Sequence, residues 1–92
     1  MGVTLKGHLI CATKAEADHV CAALAEHIRL TRAEPGCLSF EVTPTDDPLV
    51  WAVAETFCDR AAFEAHQARA GASDWAKHTA GIRRDYTIEG MP

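Results

Sequence analysis

A histidine one turn beyond a phenylalanine, and a glutamate inside an apolar strand, are the side chains of this protein most able to move a proton. The histidine is His66. It follows Phe63 by three on a helix whose Ala62, Phe63 and Ala70 should face a sheet. Imidazole titrates near neutrality and can accept a phenolic proton. The plainer reading is a histidine that bonds a backbone carbonyl and fixes a broken helix. The glutamate is Glu55, which shares a strand with Trp51, Val53 and Phe57. A carboxylate on such a face is costly unless paired. Its expected partner is Arg83, Arg84 or His66, and it either orients His66 or a substrate hydroxyl, or forms a buried pair that fixes strand register. Arg83 is the expected stabiliser of a developing anion. His27 lies on an apolar helical stripe with Leu24 and Thr31 and is either a satisfied core histidine or a second group in the same gap. Trp51, Phe57, Phe63, Trp75 and Tyr86 supply flat aromatic surface for a pocket, or ordinary core. Trp75 follows Gly71-Ala72-Ser73, a break where a mobile flap is expected.

These residues need elements to hold them. Val3 to Ala12 alternates as a strand, with His8 on a face shared by Lys6 and Ile10. Thr13 is an N-cap with Glu16 completing a capping box, and Ala17, Val20, Leu24, His27, Ile28 and Thr31 recur at helical spacing. That helix should run from Lys14 to Ala33 and stop at Pro35-Gly36. His19 on it should face solvent. Strands follow over Cys37–Thr43 and Leu49–Phe57, joined by a turn rich in Pro and Asp. Asp59 caps a helix from Arg60 to Ala70, and Ser73 caps another that reaches Ala80. A last strand alternates Arg84, Tyr86 and Ile88 against Arg83, Asp85 and Thr87. The order is β-α-β-β-α-β with a broken second helix: an α+β, ferredoxin-like arrangement with an antiparallel sheet. It is expected to fill residues 1–92 as one domain. The third strand is apolar on both faces, with Val50, Ala52 and Ala54 opposite Trp51, Val53 and Phe57. Helices cover one face, so a second copy of the sheet is the simplest cover for the other, and a homodimer is expected.

Composition excludes several function classes. The net charge is −4 and no basic run exceeds Arg83-Arg84. Neither nucleic acid nor a membrane surface is an expected partner. There is no spanning apolar run and no signal-like N-terminus, which leaves the cytoplasm as the expected location. Cys11, Cys21, Cys37 and Cys58 lack CxxC spacing and are expected as reduced, buried, apolar residues. No Gly-rich phosphate loop, HExxH or GxSxG is present, so nucleotide, flavin and zinc sites have no motif behind them.

Two stretches resemble the antibiotic-biosynthesis-monooxygenase family. Thr31-Arg32-Ala33-Glu34-Pro35-Gly36-Cys37-Leu38-Ser39-Phe40 looks like its helix exit into the second strand. Glu55-Thr56-Phe57, with Asp59-Arg60-Ala61-Ala62-Phe63-Glu64-Ala65-His66, looks like its strand-three acid, helix cap and helix histidine. The resemblance implies a dimeric α+β barrel with a pocket between each sheet and its helices. It implies a monooxygenase that uses no cofactor, with molecular oxygen as co-substrate and a small aromatic or quinol ligand. His66 would be the base, Glu55 its neighbour and Arg83 the anion stabiliser. A dimeric ligand-binding or stress-related domain without chemistry is the alternative. Haem-degrading relatives have a strand-one asparagine with no match here, where His8 lies nearest. His78 falls only roughly at their iron-binding histidine, so haem is not expected.

Overall fold

The computed structural model describes residues 2–91. Seven elements follow in order: β1 (Val3–Ile10), α1 (Lys14–Arg32), β2 (Cys37–Pro44), β3 (Val50–Phe57), α2 (Arg60–Gly71), α3 (Asp74–His78) and β4 (Arg83–Glu89). The strands form one antiparallel sheet in the order β2-β3-β1-β4. This is the expected α+β, ferredoxin-like topology. Among the described residues no helix is long and apolar enough to cross a membrane.

Local chemistry sets the helix ends. The Thr13 hydroxyl accepts from the Glu16 amide at 3.2 Å, as an N-cap should. The Glu16 carboxylate, however, accepts from the Ala12 amide at 2.7 Å, one residue earlier than a capping box requires. β1 ends at Ile10, short of the expected Ala12. Asp59 caps α2 through the Ala62 amide at 2.8 Å. Ser73 caps α3 through the Ala76 amide at 3.4 Å. That helix stops at His78, not Ala80, and Gly81 turns the chain with a φ of +82°.

The register decides which face each side chain takes. Leu5 opposes Glu55 on one side and Ile88 on the other; Leu9 opposes Trp51 and Arg84. Leu5, Leu9, Glu55 and Arg84 therefore share the face covered by the helices. Ala17 and Val20 from α1 and Phe63 from α2 join Val3, Leu5, Leu9, Phe40, Val53 and Phe57 in one core cluster. Phe57 is wholly buried and meets Phe63 edge-on at 5.6 Å. Burying such a side chain is worth roughly 1.5–3 kcal/mol. On the opposite face Val50, Ala52 and Ala54 are half-buried, while His8, Lys6, Glu41 and Asp85 stand in solvent.

The cysteines depart from expectation. All four are free, but only Cys11 is buried; Cys37 is half-buried, and Cys21 and Cys58 are exposed. Cys21 falls off the buried stripe of α1, and Cys58 sits where β3 has already turned toward α2.

Candidate active site

His66 is buried on the sheet side of α2, and a carboxylate fixes it. Its Nδ1 lies 2.8 Å from Glu34 Oε1. The partner is thus the turn between α1 and β2, not a backbone carbonyl. Arg69, one turn along α2, donates from Nε to the other Glu34 oxygen at 2.8 Å and from Nη2 to Thr31 Oγ1 at 2.9 Å. Burial on its own would raise the Glu34 carboxyl. The bonds from Arg69 and His66 outweigh it and hold Glu34 below its ordinary value. An ionised carboxylate only accepts, so Nδ1 of His66 carries the proton. The Nε2 lone pair is then free. Burial pushes the imidazole below its ordinary value, and the Glu34 bond offsets this only in part. His66 is neutral near pH 7, in the form able to take a proton.

Nε2 points toward Glu55. The separation from Glu55 Oε1 is 3.7 Å, too long for a hydrogen bond, and that oxygen has no other partner. Burial first, then the negative charge of Glu34, pushes the Glu55 carboxyl up to about 7. Near pH 7 a buried acid that is about half protonated and a neutral imidazole thus lie side by side. Neither Arg83 nor Arg84 pairs with Glu55.

Both groups line a cavity of about 310 Å³ between the sheet and the broken helix. Its wall also carries His27, Trp75, Tyr86 and Arg84. His27 and Trp75 stack face to face, with centroids 4.5 Å apart and an interplanar angle of 1°. Burial first, then the neighbouring Arg69 and His66, pushes His27 down to about 4, so it is a neutral ring. Burial pushes the Tyr86 phenol up to about 12. Arg84 donates to the Thr79 and Ile82 carbonyls at 3.1 and 2.9 Å and to Thr79 Oγ1 at 2.8 Å. Thr79 in turn bonds the Trp75 carbonyl at 2.7 Å. The stretch expected as a flap is therefore a short helix tied to β4.

The structure brings His66, Glu55, His27, Trp75 and Tyr86 to one cavity. It leaves the other expected residues outside the lining. Arg83 opposes Ile10 and is exposed on the far face of the sheet, and Arg84 takes its expected place. Phe57 and Phe63 are core, and Phe57 stacks obliquely on His66 at 4.9 Å. Trp51 is half-buried with an unpartnered Nε1. Glu34 and Arg69 were not singled out from sequence as site residues, and Arg84 only as a possible partner of Glu55. Two carried a signal: Arg69 is one helical turn from His66, and Arg84 alternates in phase with Tyr86. Among the described residues no three His, Cys, Asp or Glu side chains converge as a metal site.

Known proteins share this architecture. A family model for antibiotic biosynthesis monooxygenase matches residues 10–78. A Nitrosomonas europaea protein assigned to the antibiotic biosynthesis monooxygenases is 23% identical, with a TM-score of 0.81 over 99% of this chain and 98% of that one. Another antibiotic biosynthesis monooxygenase structure is 26% identical, with a TM-score of 0.72 over 100% of this chain and 97% of the other. A variant of SnoaB from Streptomyces nogalater, a cofactor-independent oxygenase, is 16% identical, with a TM-score of 0.75 over 95% and 89% of the two chains. No curated protein matches the chain significantly.

Proposed function

The chain belongs to the antibiotic biosynthesis monooxygenase family, and from that premise we propose that it is a cofactor-independent monooxygenase of a small aromatic or quinol substrate. One observation carries the reading. His66 Nε2 faces the cavity as a free base, while Glu34 holds the opposite ring nitrogen at 2.8 Å. The likeness to SnoaB supports a reaction without a bound cofactor.

A substrate hydroxyl in the cavity can sit beside both His66 Nε2 and the Glu55 carboxyl, within hydrogen-bond reach of each. Nε2 removes its proton, and the Glu34 carboxylate stabilises the imidazolium that results. Protonated Glu55 donates to the new oxyanion, and the charge of Arg84 lies in the same wall. The phenolate is electron-rich and passes one electron to O₂. Recombination of the substrate radical and superoxide at a ring carbon that bears hydrogen gives a peroxide anion, which takes back the proton held by the His66 imidazolium. The O–O bond then breaks as that carbon gives up its own hydrogen as a proton; the outer oxygen leaves as water and the inner one stays as a new carbonyl. Both reducing electrons come from the substrate, so the balance needs no external reductant.

A second copy of the chain is proposed to cover the outer sheet face, where Val50, Ala52 and Ala54 are half-buried.

Oxygen uptake by the purified protein with a panel of quinols tests the activity. Replacing His66 with Gln should leave the far-ultraviolet circular dichroism unchanged and slow turnover by roughly 10²–10⁴-fold. Full activity in His66→Gln would make the histidine structural. A parent protein that binds aromatic phenols and oxidises none would instead be a ligand-binding domain built on this fold.

A further inference from the structure

Behind the catalytic cavity lies a second one of about 390 Å³, between α1 and α3. His27 and Trp75 line both, and no other residue does. Their stacked rings are the wall between the two. We propose that Trp75 is the specificity-determining residue of this site. Stacked on His27, it ends the catalytic cavity and restricts it to one- and two-ring phenols; the space behind it is the extension that three-ring and longer substrates would need. The inference rests on the proposed oxygenase reading for its substrate class.

Three features support a fixed partition. The rings are parallel with centroids 4.5 Å apart, the geometry of an offset stack. Trp75 sits on a helix whose end is anchored to β4 through Thr79 and Arg84. The catalytic cavity alone lies near the lower limit of small-molecule sites, which span about 300–1,000 Å³. Joined with its neighbour it would reach the middle of that range. The far cavity also carries uncommitted polar groups. Arg69 lines it, and its Nη1 has no partner although Nε and Nη2 do; His27 Nδ1 is likewise unpartnered. Both atoms are buried beside the stacked rings, so a long ligand that replaced the indole would meet them, with Arg69 as a hydrogen-bond donor.

The test reads binding as well as turnover. Calorimetric Kd values are measured for 1-naphthol and for 1,8-dihydroxyanthraquinone, neither of which needs oxygen chemistry to bind. The parent should prefer the two-ring ligand by at least about 10-fold. Trp75→Ala should shift the ratio of the two affinities toward the three-ring ligand by at least about 10-fold, and Trp75→Phe, which keeps an aromatic wall, by less than about 3-fold. Adding Ala22→Phe to Trp75→Ala should reverse the shift, because Ala22 lines only the second cavity from an exposed helix position. A ratio unchanged in Trp75→Ala would overturn the proposal. So would a parent that binds both ligands equally, an outcome that needs no variant to fold. Ring-count selectivity in a protein that oxidises no quinol would retain the partition and remove only the oxygenase reading.

Discussion

Replacing Glu34 with Gln tests the proposed catalytic logic at its least obvious point. Glu34 accepts two bonds of 2.8 Å, one from His66 Nδ1 and one from Arg69 Nε. A glutamine has one acceptor oxygen for two donors. The oxygen should turn to the cationic Arg69, since bonds to charged groups are the stronger ones. The amide NH₂ then faces His66 Nδ1, which must give up its proton to accept. That proton moves to Nε2, and the lone pair aimed at the substrate is lost. The loss should slow turnover by roughly 10²–10⁴-fold, the contribution of one positioned base. Both bonds survive but lose the carboxylate's charge, which should also lower stability by about 1–1.5 kcal/mol. The stability part has a defined pH sense. The folded-state pKa of Glu34 lies below its ordinary value of 4.5. Its contribution is therefore present above about 4.5 and is lost as pH falls through the depressed value. Below that window parent and variant should converge. Oxygen uptake gives the rate, urea denaturation the stability, and ¹⁵N shifts of the His66 ring the tautomer. A variant within about threefold of parental turnover, with the proton still on Nδ1, would refute the reasoning.

Two further predictions follow from Glu55 and from the outer face of the sheet. The Glu55 carboxyl rises from 4.5 to about 7 on folding, so its stabilising contribution is complete below about pH 4.5 and is lost as pH rises through 7. Glu55→Gln should therefore gain up to about 3 kcal/mol over the parent at pH 8 in urea denaturation. It should also lose the alkaline fall in kcat/KM near pH 7, because an amide keeps donating; an unshifted profile would remove Glu55 from the reaction. Light scattering at micromolar concentration should give twice the 9.9 kDa chain mass, and a persistent monomer would sink the back-to-back sheet arrangement.

The fold was legible because each element carries its own period. Alternation marked β3, and 3.6-residue spacing marked the buried side of α1. Helix phase turned His66 inward, and strand phase placed Glu55 on the face toward it. Glu34 was missed because nothing local encodes its role. It lies 32 residues from His66 and reads as part of a Pro-Gly helix exit. A contact between a turn and a distant helix leaves no period. The choice between Arg83 and Arg84 failed for a different reason. Alternation separated the two but could not say which phase faces the helices until the pairing of Leu9 with Arg84 settled it. Burial of the cysteines was inferred from residue type alone, and type does not report position on a helix face.

The two-residue interruption between α2 and α3 works as a phase shift. Trp75 is nine residues beyond His66. In one unbroken helix, at about 100° per residue, the two side chains would point about 180° apart and could not wall the same cavity. The break at Ala72-Ser73 resets the angle and brings the indole back over His27. Its length is thus a natural place for divergence: adding or removing a residue there would rotate the far wall while His66, Glu34 and Glu55 keep their positions. Descendants of one catalytic arrangement could in this way acquire different substrates through insertions at a helix joint, with no change among the residues that handle the proton.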